Sequence, residues 1–395
     1  MDFRDSESEA AFRARARAFL AEHAPRDLGD PFDESVDEAA LIKRSRAWQN
    51  TLEAHGWAAI LWPEEHGGQG LGPVEQIIWN QELSRAGLGE SIFVVGIGMA
   101  GPTLIAHGSR EQQARYLPPM LRGDEIWCQL FSEPGAGSDL AALSTRAVRE
   151  GDQWLVTGQK TWCSGAHYAD FGILLTRTDP AVPKHRGITY FLLDLRVPGV
   201  EVRPLRQMTG GAHFNEVFLD AARIPDANRL GPEGGGWAAT MTTLMNERMA
   251  FMGLERLFVF EALLEHARAN PERLDGAMRD ELARLYGWVK TLELMGARVM
   301  TKLGRGLVPD AEGSIMKLAL ARVLSKGGEL GVRLLGEAAL RRTGPWQDQH
   351  LFAPSLHVAG GTDEIQKTTA AQRVLGLPRE PRPDRDVPFE SLPRS

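Results

Sequence analysis

The sequence predicts an α+β protein in which an antiparallel β-domain lies between two helical parts. Towards the amino terminus, apolar residues such as Phe12, Ala16 and Phe19 recur at helical spacing. In the middle, short apolar runs alternate with turns rich in glycine, proline and aspartate, which is typical of an antiparallel sheet or barrel. Long helical periodicity then returns. These changes divide the chain into a helical domain at 1–124, a β-domain at 125–234, a helical bundle at 235–378 and an extended tail at 379–395.

Length, composition and charge narrow the class of protein. The 395 residues suffice for two or three domains, and 43% hydrophobic with 25% charged residues is ordinary for a globular chain. The net charge of −7 argues against a nucleic-acid partner, and no apolar run approaches the length of a membrane span. Acidic residues at positions 2, 5, 7 and 9 are untypical of a transit peptide. Two cysteines make neither a disulfide framework nor a metal site. We therefore expect a cytoplasmic protein.

Five runs in the middle part have the composition of strands. They span residues 126–131, 154–158, 171–176, 188–194 and 215–220. The first run leads into a turn at 134–139 that contains two glycines two residues apart, whose backbone N–H groups can approach a flat or anionic ligand. Ser132 and Ser138 add hydroxyl groups. A tight surface loop that binds nothing also explains the composition, and no strand–turn–helix glycine pattern indicates a Rossmann fold.

The wording of two motifs is more specific than their composition. They read Phe131-Ser132-Glu133-Pro134-Gly135-Ala136-Gly137-Ser138-Asp139 and Lys160-Thr161-Trp162-Cys163-Ser164-Gly165-Ala166. The first resembles the Thr-Glu-Pro…Gly-Ser-Asp signature of the acyl-CoA dehydrogenase family, and the second resembles the family's Lys-x-Trp-Ile-Thr-Asn-Gly segment. The resemblance extends over essentially residues 1–380. It implies a β-domain that holds FAD between two helical domains.

Two further segments of the amino-terminal part suggest specific structures. Residues 92–105 are apolar and glycine-rich, which favours a close-packed buried helix or the wall of a substrate channel. The family resemblance also places a helix start at Ser109 and its end at Tyr116-Leu117-Pro118.

The resemblance implies FAD-dependent dehydrogenation of an acyl thioester to the 2-enoyl thioester, in fatty acid or lipid catabolism. Acyl-CoA is the implied substrate and an electron-transferring flavoprotein the implied electron acceptor. A base removes the proton from the carbon next to the thioester carbonyl, and the flavin performs the redox chemistry. A flavin oxidase or monooxygenase on the same fold is one alternative. A non-catalytic subunit of a heteromeric dehydrogenase is another.

The catalytic base requires a separate argument. In many relatives it lies in a glycine-rich segment near the carboxy terminus, where this chain has Gly360. Other members place it in a Glu-Arg pair on the first long helix of the carboxy-terminal domain, which matches Glu247 and Arg248. Glu247 heads an apolar helical face with Phe251, Leu254 and Phe258, so its carboxylate would be partly desolvated and more basic. We therefore predict Glu247 as the base.

Two alternatives to this assignment stay open. Glu247 could be a solvated acid or pair with Arg248 or Arg256, and Glu364 is a rival base.

The resemblance assigns further roles. Ser164 is expected to face the flavin nitrogen that receives hydride, Trp162 to lie against the ring, and Leu130 and Ser132 to meet its pyrimidine edge. The implied cofactor contacts are Leu130, Phe131, Ser132, Gly137, Ser138, Trp162, Cys163, Ser164, Thr362 and Glu364. Ser138 is also implied near the substrate's pantetheine arm, and Arg248 is implied to orient Glu247 at the substrate.

Two family segments that hold the dinucleotide are missing. No Arg-x-x-Phe-Gly sequence occurs near 270–277, and no Gln-x-x-Gly-Gly sequence near 336–343. Since the FAD phosphates still need donors, we expect subunit contact to complete the cofactor site. The partner is predicted to be a second copy, in a homodimer or homotetramer, or an unlike chain of the same family.

Overall fold

Helices precede and follow a set of strands, as the sequence predicts. The structure, a computed structural model, describes residues 5–28, 36–89, 91–251, 259–307, 312–341 and 344–393. The helices before the sheet are α1 (Glu7–His23), α2 (Glu38–Ala54), α3 (Pro73–Arg85), α4 (Gly101–His107) and α5 (Arg110–Arg122). Those after it are α6 (Gly236–Phe251), α7 (Val259–Ala269), α8 (Gly276–Leu303), α9 (Glu312–Leu335), α10 (Pro345–Phe352) and α11 (Asp363–Arg373).

The strands form one twisted sheet. They are β1 (Trp127–Leu130), β2 (Arg146–Glu150), β3 (Gln153–Lys160), β4 (Phe171–Arg177), β5 (Ile188–Asp194), β6 (Val200–Leu205), β7 (Phe214–Pro225) and β8 (Arg229–Leu230). Their order is β6-β7-β3-β2-β4-β5-β8, with β1 beside β4. Most pairs are antiparallel as predicted, whereas β1–β4 and β2–β4 are parallel. β4 is buried along its whole length, because both of its faces are covered.

The two faces of β1 belong to two different hydrophobic cores. Trp127 packs in one core, where its ring stacks on Phe171 with centroids 5.1 Å apart. Cys128 and Leu130 point to the other face and pack with Trp154 and Phe191. Since side chains alternate along a strand, Gln129 shares the face of Trp127. This alternation brings two polar groups to one side of the sheet.

The helix that resembles the family's Ser109 helix is longer than predicted. Ser109 caps α5 as expected, and its hydroxyl accepts a hydrogen bond from Gln112 N at 3.2 Å. The prediction that the helix ends at Pro118 is wrong, since α5 runs through both prolines to Arg122. It ends instead at Gly123, whose φ of +76° is the left-handed conformation that glycine adopts easily.

The chain forms two compact units. One contains Met1–Arg13 with Gly253–Glu380, and its core includes Leu285, Val323 and Leu330 on α8 and α9. The other contains Ala14–Met252 with Pro381–Ser395, and therefore holds the sheet and α6. Within the described ranges, no helix has the length and apolar character needed to cross a bilayer.

The carboxy-terminal residues return to the sheet. The backbone N–H groups of Phe389 and Glu390 donate to the carbonyls of Val182 and Pro180, each at 3.0 Å. The guanidinium of Arg177 lies 3.7 Å from the centre of the Phe389 ring. Lys184 then joins this segment to the glycine turn, because its ammonium contacts Asp384 at 2.9 Å and Asp139 at 2.8 Å.

Candidate active site

One cleft in the unit that contains the sheet brings together three of the residues predicted from sequence. It is lined by Glu247 from α6 and by Trp162 and Ser164 from the segment between β3 and β4. Ile92, Val95 and Met99 form an apolar wall of the same cleft, with Met99 in a π-helical turn, Gly96–Ala100. The segment at 92–105 therefore does line a cavity.

Trp162 has the backbone and exposure of a platform for a flat ligand. Its φ is +60°, which is uncommon for a residue other than glycine, and its surface is 62% exposed. Main-chain hydrogen bonds hold the residues around it, with Thr161 N 2.9 Å from Ser132 O and Cys163 N 3.0 Å from Asn215 O. An exposed indole on a strained backbone that main-chain hydrogen bonds keep in place indicates a functional surface.

The two motifs are joined by a buried ion pair. Lys160 Nζ lies 2.8 Å from Glu133 Oε1 and 3.1 Å from the Phe131 carbonyl oxygen, and its side chain is fully buried. Glu133 also accepts backbone hydrogen bonds from Ser144 at 2.7 Å and Thr145 at 2.9 Å. Burial acts to raise the pKa of Glu133, but the Lys160 charge and these hydrogen bonds outweigh it and lower the pKa to about 2. The carboxylate is therefore charged and fixes the start of the glycine turn.

The predicted cofactor residues of the first motif divide into buried and exposed groups. Leu130 and Phe131 are buried in the cores, as is Cys163 in the second motif. Their side chains are thus packing groups, and only their main chain is left to meet a cofactor. Gly137 and Ser138 are exposed, on a turn closed by hydrogen bonds between Glu133 and Ala136. Ser132 is half-buried.

A buried group of hydroxyls holds α6 against the sheet. Thr243 Oγ1 lies 2.9 Å from Thr103 Oγ1 and 3.1 Å from the Tyr190 hydroxyl, and all three side chains are fully buried. Thr103 also donates to the Met99 carbonyl oxygen at 2.7 Å. Because Thr243 is one helical turn before Glu247, this network sets the position of the helix that carries the half-buried carboxylate.

The other predicted residues fall beyond the described side chains or in the other compact unit. Arg248 is on α6, but its side chain falls outside the described residues, as do the side chain of Phe251 and the whole of Leu254, Arg256 and Phe258. Thr362 and Glu364 lie in the other compact unit. There Thr362 caps α11 by accepting a hydrogen bond from Ile365 N at 3.3 Å, and Glu364 is exposed. Gly360 has a φ of +64° in the same unit.

Five polar or aromatic residues of the cleft were not predicted. They are Ser91, Trp127, Gln129, Tyr168 and His213. The strand period places Trp127 and Gln129 on one face of β1, so the sequence could have predicted that these two side chains lie together. Tyr168 and His213 lie in connections before β4 and β7, and their sequence shows no period that predicts a shared cavity.

These residues fit a flavin. A flat ring system needs an exposed aromatic or apolar surface and nearby hydrogen-bonding groups, which Trp162, Ser164 and Ser132 offer. The motif that carries Trp162 is bonded through its main chain to the motif that carries Ser132. Trp162 and Ser164 would hold the ring, and the exposed turn with Gly137 and Ser138 is open to a phosphate group.

Comparison with known proteins identifies the family of the chain. The N-terminal, middle and C-terminal domains of acyl-CoA dehydrogenases match residues 6–124, 128–222 and 234–375. The chain is 41% identical over 373 residues to acyl-CoA dehydrogenase FadE34 of Mycobacterium tuberculosis, covering 94% of this chain and 51% of that protein. It therefore spans about half the length of FadE34. It is 37% identical to acyl-CoA dehydrogenase IpdE1 of the same organism, covering 93% of this chain and 98% of that protein.

Solved structures show the same architecture. The Tcur3481-Tcur3483 steroid ACAD superimposes with a TM-score of 0.82 at 29% identity, covering 96% of this chain and 100% of that one. The ChsE4-ChsE5 complex from Mycobacterium tuberculosis superimposes with a TM-score of 0.79 at 29% identity, with the same coverage. With three matching domains and relatives above 30% identity, the chain belongs to the acyl-CoA dehydrogenase family of FAD-dependent oxidoreductases.

Proposed function

We propose that this protein removes two hydrogens from the α and β carbons of an acyl-CoA thioester, with Glu247 as the catalytic base. One observation carries the proposal: Glu247 lines the same cleft as Trp162 and Ser164. A base and a flavin platform must face one substrate, because the proton and the hydride leave neighbouring carbon atoms.

The chain's own residues account for the proton transfer. The Glu247 carboxylate takes the proton from the carbon next to the thioester carbonyl, and the half-buried position keeps it partly dry. The hydroxyl network at Thr243 keeps α6, and with it Glu247, in place. FAD, when bound, supplies the two-electron acceptor for the hydrogen that leaves the neighbouring carbon. Trp162 and Ser164 orient that acceptor.

The rival positions support this choice. Gly360 offers no side chain at the position where the family more often has its base. Glu364 is an exposed residue in the first turn of α11 and belongs to the other compact unit. A base needs a protected and positioned carboxylate, and Glu247 satisfies this requirement better than Glu364.

The names of two solved relatives support a proposal for the substrate and the partners. The solved relative Tcur3481-Tcur3483 is a steroid ACAD, and the ChsE4-ChsE5 structure is a complex of two differently named chains. We infer that this protein acts in the cytoplasm on an acyl-CoA of lipid or steroid catabolism and passes electrons to an electron-transferring flavoprotein. It assembles with a second copy or with an unlike chain of the same family, which completes the dinucleotide site.

The direct test is flavin bleaching. The holoenzyme is mixed with a panel of straight, branched and cyclic acyl-CoAs without oxygen, and the flavin absorbance is followed. At least one acyl-CoA should bleach the flavin and yield the 2-enoyl-CoA. A dehydrogenase consumes little oxygen when air is admitted, whereas rapid oxygen uptake would show an oxidase. No bleaching by any acyl-CoA would contradict the proposal.

A further inference from the structure

Two hydrogen-bond donors on β1 lack an acceptor in the cleft. Trp127 Nε1 and Gln129 Nε2 are both buried, and no residue in the described part of the chain accepts a hydrogen bond from either. Trp127 is 1% exposed, and both residues line the cleft that holds Glu247. A buried donor without an acceptor is costly, so such groups are normally paired by the protein, by ordered water or by a ligand.

Two other deeply buried indoles of the same unit are paired. Trp62 Nε1 donates to the Ile97 carbonyl oxygen at 2.9 Å, and Trp154 Nε1 donates to Asp226 Oδ1 at 2.8 Å. Trp127 is as deeply buried as these two, yet its N–H has no such partner among the described residues. Among these three tryptophans, Trp127 is the one that lines the cleft and the one without an acceptor among the described residues. This pattern points to a ligand atom as the missing acceptor.

The surroundings decide which kind of atom fits. An indole N–H can only donate, so the ligand atom must be an acceptor. Apart from His213, no described residue of the lining can carry a positive charge, and Glu247 is acidic, so the described lining favours a neutral oxygen over an anionic one. A neutral carbonyl, hydroxyl or ether oxygen can accept a hydrogen bond from donors of this kind. The adjoining wall of Ile92, Val95 and Met99 suits the hydrocarbon part of the same ligand.

We propose that Trp127 and Gln129 recognise a neutral oxygen on the acyl group, beyond the thioester itself. The enzyme then prefers acyl-CoA substrates that carry a ketone, hydroxyl or ether oxygen over hydrocarbon acyl-CoAs of the same size. This inference rests on the proposed function, because it takes the cleft to be the acyl site. The preference arises because a plain acyl chain leaves both donors buried and unpaired.

The test uses matched acyl-CoA pairs of equal chain length. One member is a plain hydrocarbon and the other has a ketone or ether oxygen, moved position by position beyond the β carbon. Dissociation constants are measured from the flavin spectrum of the Glu247→Gln holoenzyme, and kcat/KM is measured with the unmodified holoenzyme. The oxygenated member should bind about tenfold more tightly or better at its best position.

Variants then assign the preference to the two donors. Trp127→Phe keeps the ring and removes the N–H, while Gln129→Met keeps the length and removes the amide. Each should lower the preference for the oxygenated member by about tenfold. Met99→Leu alters the same cleft without touching a donor, and as a volume-conserving change it should leave the ratio within about twofold.

Three outcomes would overturn the inference. The first is equal binding of both members at every oxygen position. The second is an equal loss for both members in Trp127→Phe and Gln129→Met, which would assign the donors to the thioester or to the fold. The third is a shift in the absorbance spectrum or reduction potential of the flavin in either variant without ligand, which would assign the two donors to the cofactor. Binding is measured in Glu247→Gln, and this measurement does not depend on flavin reduction. The absence of a preference for the oxygenated member can therefore be told apart from a failure of acyl-CoA to reduce the flavin.

Discussion

Lys160 and Glu133 form a buried ion pair, with Nζ 2.8 Å from Oε1, that joins the two motifs proposed to hold the flavin. Lys160 directly precedes the Thr161-Trp162 platform, and Glu133 directly follows Ser132. The ion pair and the main-chain hydrogen bond from Thr161 N to the Ser132 carbonyl oxygen together set the spacing between the glycine turn and the indole. The pair is structural, yet it lies directly behind the proposed cofactor surface.

Breaking this pair from one side should be strongly destabilising. Lys160→Met leaves the Glu133 carboxylate buried without its counter-charge, so we expect the free energy of unfolding to fall by about 3–5 kcal/mol. Denaturant unfolding measures this change. Lys290→Met, which removes an exposed pair with Glu293, is the control and should cost at most about 0.5 kcal/mol. A loss below about 1 kcal/mol in Lys160→Met would contradict the role assigned to the pair.

The same pair predicts how stability depends on pH. The pKa of Glu133 is about 2 in the folded protein, against an ordinary value of 4.5. The unfolded chain therefore takes up a proton first as pH falls, so the contribution of Glu133 is present above about pH 4.5 and is lost between there and about pH 2. Unfolding curves at a series of pH values should show this loss. In the double variant Lys160→Met/Glu133→Gln, the free energy of unfolding should decline less steeply as pH falls. An unchanged slope would contradict the assignment of this pH dependence to Glu133.

Removing the proposed base should stop catalysis and spare the cofactor. Glu247→Gln keeps the shape of the side chain but cannot accept the proton, so flavin reduction by a good acyl-CoA should slow by about 100- to 10,000-fold. FAD content should be unchanged, because the flavin platform lies on other elements. Stopped-flow absorbance without oxygen measures the rate. Glu364→Gln is the matched comparison, and if it alone abolishes reduction, the assignment of the base is wrong.

Changes in the platform should affect the flavin itself. Trp162→Ala removes the exposed ring surface, and we expect FAD to dissociate more readily, whereas Trp162→Phe should retain it better. Ser164→Ala removes one hydroxyl from the cleft, so flavin reduction should slow while the fold is kept. Equilibrium dialysis gives the FAD affinity, and stopped-flow gives the rate. Native affinity and turnover in both alanine variants would show that this segment does not meet the flavin.

The hydroxyl network predicts a difference between two threonines of one helix. Thr243→Val removes the contacts to Thr103 and Tyr190, so stability should fall by about 1–3 kcal/mol and flavin reduction should slow with FAD still bound. Thr240 is equally buried, and within the described residues the one hydrogen-bond partner of its hydroxyl is the Gly236 carbonyl of its own helix, so Thr240→Val is the control. Equal kcat values in the two variants would mean that the network does not position Glu247.

Local pattern in the sequence was sufficient for the fold class and for most strands. β5 begins and ends at the predicted residues 188 and 194, because a continuous apolar run with turns on both sides leaves little choice. β7 runs on to Pro225, past the predicted end at 220, because its second half pairs with β3, with Ala222 opposite Val156. Because that extension depends on pairing with a distant strand, the local sequence pattern does not predict it.

For the site, too, one part was predictable from sequence and another part was decided only by the tertiary structure. The motifs around Ser132 and Trp162 and the Glu247-Arg248 pair were identified from their residues alone, because their wording matches a family. Only the tertiary structure decided that Trp162, Ser164 and Glu247 share a cleft and that Trp127 and Gln129 face it. Sequence determines which groups are present and on which face of an element they lie, through fixed helix and strand periods. Which faces meet depends on packing between residues far apart in the chain, and local spacing carries no record of it.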